Sequence, residues 1–321
     1  MPHHSGCADC GNMKGLFRCR GCKVTQYCST GHKKADYIKH RVTCNRIQKA
    51  LRKMQARERA LRAHEDKPFE HDIGTFWGCP ETRPYMRARL EYVNALLANK
   101  SFESIKTQLD HCMECLRLCK RDNMEIREQI LSLMICLGKD QECYNFVKWW
   151  TFSTWRGERW GEKSIENANP LESSDWYFDI HGSVLPHAVS MTLLNIKLMF
   201  VLMSQLEDES DNCGSVIEAM ESVRGSSFME NPEMKNCKNK LAEIEKVKDR
   251  IRRLYTFVDK PNSLFWPALV EPDEHLGIIP DGFGIGGKCQ MQMTLNYTYD
   301  SWDNFKPGIE IIARALKGEM I

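Results

Sequence analysis

The segment Cys7-Ala-Asp-Cys10-Gly-Asn-Met-Lys-Gly-Leu-Phe-Arg-Cys19-Arg-Gly-Cys22-Lys-Val-Thr-Gln-Tyr-Cys28-Ser-Thr-Gly-His32-Lys-Lys-Ala-Asp-Tyr-Ile-Lys-His40-Arg-Val-Thr-Cys44 gathers six of the chain's 15 cysteines and two suitably spaced histidines. Between successive Cys and His positions lie 2, 8, 2, 5, 3, 7 and 3 residues. Structural Zn²⁺ takes four soft or borderline donors and leaves no position open, so eight ligands make two complete sites. The segment is otherwise polar and glycine-rich. Phe17, Val24, Tyr27, Tyr37 and Ile38 are nearly all the apolar core it offers. Metal must therefore supply its folding free energy, on the order of 10–16 kcal/mol per structural zinc. A short helix from Tyr37 to Cys44 is expected to close the second site.

The chain has 321 residues, 42% of them hydrophobic, enough for one large core or two smaller ones. Its net charge of +2 hides an asymmetry. Residues 1–68 hold 16 Lys+Arg against 5 Asp+Glu, and the remainder holds 29 against 38. A basic N-terminal module on an acidic body suggests an anionic surface or partner near the cysteine cluster, although zinc-bound thiolates also attract local cations. No signal-peptide pattern opens the chain. The most apolar stretch, Val184 to Leu206, carries Asn195 and Lys197 near its middle, which suits a core helix better than a membrane span. The reading is an intracellular, soluble protein in cytoplasm and/or nucleus. There, clustered cysteines mean metal rather than disulfides.

Residues 45–64 lack Gly and Pro and are rich in helix formers, with Ile47, Leu51, Met54 and Leu61 in a narrow stripe. They read as a basic connecting helix over 45–68, with a nucleic-acid arm as the alternative. Beyond a Gly/Pro-punctuated loop to Pro84, helical patterns cover Tyr85–Asn99, Phe102–Lys120, Met124–Leu137 and Gln141–Trp155. Ser101 and Asp140 supply start signals and Gly138 a stop. This rhythm is that of helix pairs in an α-solenoid such as a tetratricopeptide array, although the strict repeat signature is absent. Residues 156–183 form an acidic, aromatic insert containing Asp175-Trp-Tyr-Phe-Asp179. Helices resume over His187–Glu207, Ser215–Arg224 and Pro232–Val258, the last with its register on Leu241, Ile244, Val247, Ile251 and Leu254. The body is thus expected over 69–258. Residues 259–321, rich in Gly, Pro and aromatics, are expected to be irregular and to pack on it, with a short strand permitted at Gln290–Tyr299. The fold class is mainly α.

The stretch Tyr27-Cys28-Ser29-Thr30-Gly31-His32, then Asp36-Tyr37-Ile38-Lys39-His40, then Cys44, resembles the MYND zinc finger. That family reads Tyr-Cys-Ser-x-x-Cys, Asp-Trp-x-x-His and a last Cys three residues on. Two departures stand out: His32 occupies a usual Cys position, and Tyr37 a usual Trp position. Imidazole is a sound zinc donor, so the first alters softness rather than existence of the site. The resemblance implies a cross-braced pairing, with Cys7, Cys10, Cys28 and His32 on one zinc and Cys19, Cys22, His40 and Cys44 on the other. It also implies binding of proline-containing peptide segments of partner proteins, in transcriptional or signalling regulation. Asp122-Asn-Met124 with Leu137-Gly-Lys-Asp-Gln-Glu-Cys-Tyr-Asn-Phe-Val-Lys-Trp-Trp150 is similar to a segment of MYND proteins from fungi and other microbial eukaryotes. It also resembles a helical-repeat stretch in a eukaryotic tumour-suppressor-like family.

Some MYND proteins are SET-domain methyltransferases, but the Asn-His-Ser-Cys cluster of that domain and its later Tyr-containing Gly-rich motif are absent. Gly282-Phe-Gly-Ile-Gly-Gly287-Lys288-Cys289 mimics a phosphate loop, yet Cys289 stands where Ser or Thr would hold Mg²⁺. The residues after it read as strand rather than helix, so it is taken as a loop. Cys112, Cys115 and Cys119 share a helix face beside His111 and continue the stripe of Leu109 and Leu116, which marks them as core. His3 and His4 are spare donors in a terminal tail. The expectation is a non-enzymatic adaptor with two Zn²⁺, with a divergent methyltransferase or nucleic-acid binding through 45–64 as alternatives.

Overall fold

The computed structural model describes residues 5–156, 159–161, 164–178, 184–207, 217–282 and 284–319. Two short strands, β1 (Phe17–Arg18) and β2 (Gln26–Tyr27), pair antiparallel with Phe17 opposite Tyr27 and Arg18 opposite Gln26. Helices follow: α1 (Thr30–Ala35), α2 (Tyr37–Arg62), α3 (Pro68–His71), α4 (Arg83–Leu96), α5 (Phe102–Leu118), α6 (Arg127–Cys136) and α7 (Asp140–Arg156). Then come α8 (Asp175–Phe178), α9 (Leu185–Glu207), α10 (Ile217–Val223), α11 (Pro232–Lys235), α12 (Lys240–Asp259), α13 (Phe265–Val270), α14 (Lys288–Asp303) and α15 (Lys306–Leu316). The chain is mainly helical, as expected. Its contacts divide it into two units, one of residues 3–133 with 159–163 and one of 134–158 with 164–321. The division falls inside α6.

In the first unit, one 26-residue helix replaces the two pieces expected at 37–44 and 45–64. No Gly or Pro interrupts it, and Ile47, Ala50, Leu51, Met54 and Leu61 form a buried stripe against α4. Helix α4 packs in turn on α5, which starts where the Ser101 hydroxyl accepts the Ser104 N–H at 3.3 Å. Cys112 and Cys115 on α5, and Cys119 just past its end, are buried in the core as expected. Helix α6 begins later than Met124, because Asp122 captures the Ile126 and Arg127 N–H groups at 2.8 and 3.1 Å. Tyr37 and Ile38 are not core residues. They are 59% and 77% exposed, since the course of α2 turns them outward.

The second unit is arranged around α9, where every residue from Leu185 to Leu202 is buried. Apolar on all sides, it passes the length and hydropathy test for a membrane span, but 83% of that window lies inside the protein. Helices α7, α10, α12, α14 and α15 all touch it, so it is not confined to its sequence neighbours. Three of its buried polar side chains find partners inside the unit: Thr192 Oγ1 donates to the Ala188 carbonyl at 2.9 Å, Asn195 Nδ2 to the Met191 carbonyl at 2.8 Å, and Lys197 Nζ to Asp140 Oδ1 at 2.6 Å. Gly308 lets α15 approach, because a Cβ there would lie 3.2 Å from Leu193 Cδ1.

Three expectations for this unit are corrected. Residues 259–321 are not irregular, since α13, α14 and α15 lie within them. Gln290–Tyr299 is helix rather than strand: Met291, Thr294, Leu295, Thr298, Ser301 and Trp302 are buried at helical spacing, and the alternation of Met and Gln was incidental. The expected helix 232–258 is two helices, and Leu241 is exposed while Ile244, Val247, Ile251 and Leu254 are buried. A helix does follow Gly287, but no strand precedes it among the described residues. Asp179, Phe283, His3, His4, part of the insert and the start of the expected helix at Ser215 lie outside those residues.

Candidate metal centre

All eight predicted ligands come together as two sets of four. Cys7, Cys10, Cys28 and His32 form one, and Cys19, Cys22, His40 and Cys44 the other, with donor atoms in each set within 4.8 Å of one another. The sets interleave along the chain, which is the cross-brace. Zn–S bonds of about 2.3 Å and Zn–N bonds of about 2.1 Å in a tetrahedron imply S···S edges of about 3.8 Å and S···N edges of about 3.6 Å. The first set shows Cys10 Sγ to Cys28 Sγ at 3.6 Å, and His32 Nδ1 at 3.6 and 3.1 Å from Cys7 and Cys28 Sγ. In the second, Cys19 and Cys44 Sγ are 3.7 Å apart, and His40 Nε2 lies 3.4 and 3.6 Å from Cys19 and Cys22 Sγ. The donor sets fit two structural zinc ions, each of which would supply four bonds tying distant pieces of chain together.

Local backbone explains how the ligands are placed. Each Cys-x-x-Cys closes a turn, Gly11 N–H donating to the Cys7 carbonyl at 2.8 Å and Lys23 N–H to the Cys19 carbonyl at 2.9 Å. The residue after each second cysteine has positive φ, 72° at Gly11 and 65° at Lys23. Glycine adopts that conformation freely, whereas a lysine does so at a cost of about 1–2 kcal/mol. Gly21 is required for space, since a Cβ there would lie 2.7 Å from Cys44 Sγ. Ser29 caps α1 by accepting the His32 N–H at 3.1 Å, so the residue that departs from the family pattern sits on a fixed first turn. Tyr27 is fully buried beside His40, and its hydroxyl donates to Asp36 Oδ2 at 2.7 Å just before α2 begins.

The electrostatics call for a cation. Burial opposes ionisation of Cys7, but the N–H groups of Cys28, Cys10 and Asp9 overcome it and bring the thiol down to about 6. Cys19 is lowered in the same way: burial opposes, while the Cys22 N–H, the His40 ring and the Gly21 N–H favour the thiolate. Burial, then the neighbouring Cys10 and Cys7 thiols, push Cys28 up to about 11. Burial and the Cys22 and Cys19 thiolates push Cys44 up to about 12. Metal binding takes all of them as thiolates and releases their protons.

Outer contacts, which spacing alone did not disclose, orient both imidazoles. Thr25 Oγ1 stands 3.4 Å from His40 Nδ1 and 3.4 Å from Cys22 Sγ, and accepts from Asn99 Nδ2 at 2.8 Å. With His40 Nε2 on metal, its Nδ1–H is left to donate to Thr25. The second site is thereby wired to the turn before α5, where the Ser101 hydroxyl also donates to the Val24 carbonyl at 3.2 Å and Arg18 pairs with Glu103. Asp9 Oδ2 lies 3.8 Å from His32 Nε2 in the first site. The signal for Thr25 was its place between Cys22 and Cys28, but nothing in the sequence distinguishes it from a loop residue.

No curated protein and no solved structure matches the chain in these comparisons. A scan against protein-family models matches the MYND finger over residues 7–44. Both four-donor sets fall inside that span and use its first and last residues, Cys7 and Cys44. Residues 7–44 of this chain are a MYND finger, a zinc-binding module of the kind that commonly mediates protein–protein interaction.

Proposed function

We propose that the protein is a non-enzymatic adaptor whose finger binds proline-containing peptide segments of partner proteins. One observation carries the reading: a finger with complete four-donor metal sets displays Tyr37, Ile38 and Val42 at 59%, 77% and 70% exposure. Four protein donors on each metal leave no position for a substrate or water, so the metals serve structure. Exposed apolar side chains on so small a module have no folding role and are available to a partner. An aromatic ring at position 37 offers a flat face to a proline ring, and proline-rich segments bind with little loss of chain entropy. The helical units then act as scaffold, with tetratricopeptide-like stacking as the proposed kinship and the cytoplasm or nucleus as the proposed setting. Regulation of transcription or signalling follows from family association. Strands among the described residues are limited to β1 and β2, which gives the methyltransferase alternative no β-core to work with there.

The test is an array of proline-centred peptides probed with the zinc-loaded chain and with an Ile38→Asp variant. Proline-dependent binding that the variant loses, while its zinc content holds, supports the reading. Binding indifferent to proline, or to the variant, ends it. Affinity purification beside a Cys28→Ser variant then separates partners of the finger from partners of the body.

A further inference from the structure

Helix α2 carries two exposed apolar residues, Ile38 and Val42, and a set of cations on one face. At 3.6 residues per turn, Ile38, Val42, Arg46 and Lys49 fall within an arc of about 80°. Past Val42 this face overlooks a cleft of 450 Å³ between α2 and α4. Arg46 and Lys49 line it from α2, Arg87 and Glu91 from α4, and buried Ala50 and Ala95 also line it. Glu91 is already paired with Lys53. Arg87 lies with its guanidinium 5.5 Å from the centre of the Trp77 ring, and among the described residues no carboxylate pairs with Arg46, Lys49 or Arg87. Three cations thus converge on a cleft whose one carboxylate is occupied.

We propose that this cleft binds an acidic segment of the same peptide whose apolar, proline-containing part sits on Ile38 and Val42. The proposal rests on the peptide-binding reading of the finger and adds the chemistry of the partner. The midpoint of Ile38 and Val42 lies about 11 Å along the helix from the midpoint of Arg46 and Lys49. An extended peptide covers that distance in about three residues. The recognised segment is therefore bipartite: an apolar, proline-containing core, a spacer of about three residues, and a run of carboxylates. A nucleic-acid backbone fits less well, because the cleft's small apolar lining of Ala50, Leu90 and Ala95 suits side chains rather than a phosphate ribbon.

The probe is a peptide array with a fixed central proline, flanking positions varied over Leu, Ile, Val and Ala, and a tail of Asp-Glu-Asp or Asn-Gln-Asn three residues away on either side. Core sequences that bind are remade as fluorescent peptides and titrated into the full zinc-loaded chain. The acidic tail should tighten binding about tenfold at low salt, and the gap should close as ionic strength rises. An R46E/K49E variant, confirmed to retain two zinc equivalents, should erase the gap and leave the amide-tailed peptide unchanged. Equal affinity of both tails, or a gap that survives the charge reversal, overturns the cleft while the finger reading stands. If no core binds with either tail, the finger reading fails and the cleft proposal with it. Displacement of the acidic peptide by a 20-base DNA strand at equal concentration overturns the proposal in favour of nucleic acid.

Discussion

Between Cys7 and Cys44 the buried side chains are Val24, Thr25, Tyr27 and three of the ligating cysteines, whereas along α9 every residue from Leu185 to Leu202 is buried. Folding of the first stretch depends on a few strong bonds to metal. Folding of the second depends on many weak contacts, each Leu, Ile, Val or Met removing its surface from water for about 1.5–3 kcal/mol. The difference decides where apolar residues can go. The finger does not need Tyr37, Ile38 or Val42 inside, so they are free to face a partner. Helix α9 keeps its aliphatic residues from Leu185 to Leu202 inside, and a charge buried among them, Lys197, must find a partner there.

Chelation separates the two regions most widely. Removing zinc should cost the finger on the order of 10–16 kcal/mol per site. Amide exchange should then rise throughout 7–44 while 185–202 stays protected. Release should come in two steps, the first from the set that includes exposed Cys10. Simultaneous loss of protection in both stretches would show that the comparison is false. Lys197→Met attacks the other side of it. With Asp140 left buried and unpaired, the second unit should lose about 3–5 kcal/mol by denaturant titration, zinc content should remain two, and adding Asp140→Asn should recover much of the loss. Thr25→Val probes the support around a metal. It should weaken zinc binding at the second site by about 10–100-fold in a competition titration, with Asn99→Ala acting in the same direction.

The smallest expected effect lies outside both regions, in α5. Burial, and then the Arg89 guanidinium 2.7 Å from Nδ1, push His111 down to about 4, so it is a neutral acceptor at pH 7. Its pKa is near 6.5 when unfolded, so below that value the unfolded chain holds the extra proton. The stability this group contributes is present above pH 6.5 and is lost as pH falls towards 4. His111→Gln keeps an acceptor without the titration. The natural protein should lose about 1–2 kcal/mol more than this variant between pH 7 and 4.5. Parallel acid limbs in urea melts would remove His111 from the account.

What could be seen in the sequence follows the same division. Ligand spacing exposed the zinc sites because tetrahedral coordination admits few residue types and demands four of them. Cap and stop residues such as Ser101 and Gly138 located helices because their chemistry is local. The position of Tyr37 and Ile38 was not legible, since apolar type was taken as burial, and only the continuity of α2 decides which way they point. Gln290–Tyr299 misled because Met, Gln, Thr and Tyr in alternation satisfy a strand period, while the buried set Met291, Leu295, Trp302 is chosen by packing in the second unit. Thr25 belongs to the same class. Its role exists only because Asn99, 74 positions away, reaches its hydroxyl.

The uninterrupted course of α2 has a practical consequence for anyone who wants the finger alone. His40 and Cys44 occupy the first two turns of a helix 26 residues long, about 39 Å from end to end. A fragment ending at residue 44 would end on a ligand whose carbonyl, like those of the turn before it, has lost the N–H groups that answer it. Fraying would begin at the second zinc. Cutting after Arg62 instead keeps the helix whole but uncovers Ile47, Leu51, Met54 and Leu61. A piece made for transplantation must therefore run past α5, carrying Asn99 and Ser101 along with the metals they help to hold, and the contacts of the first unit continue to residue 133.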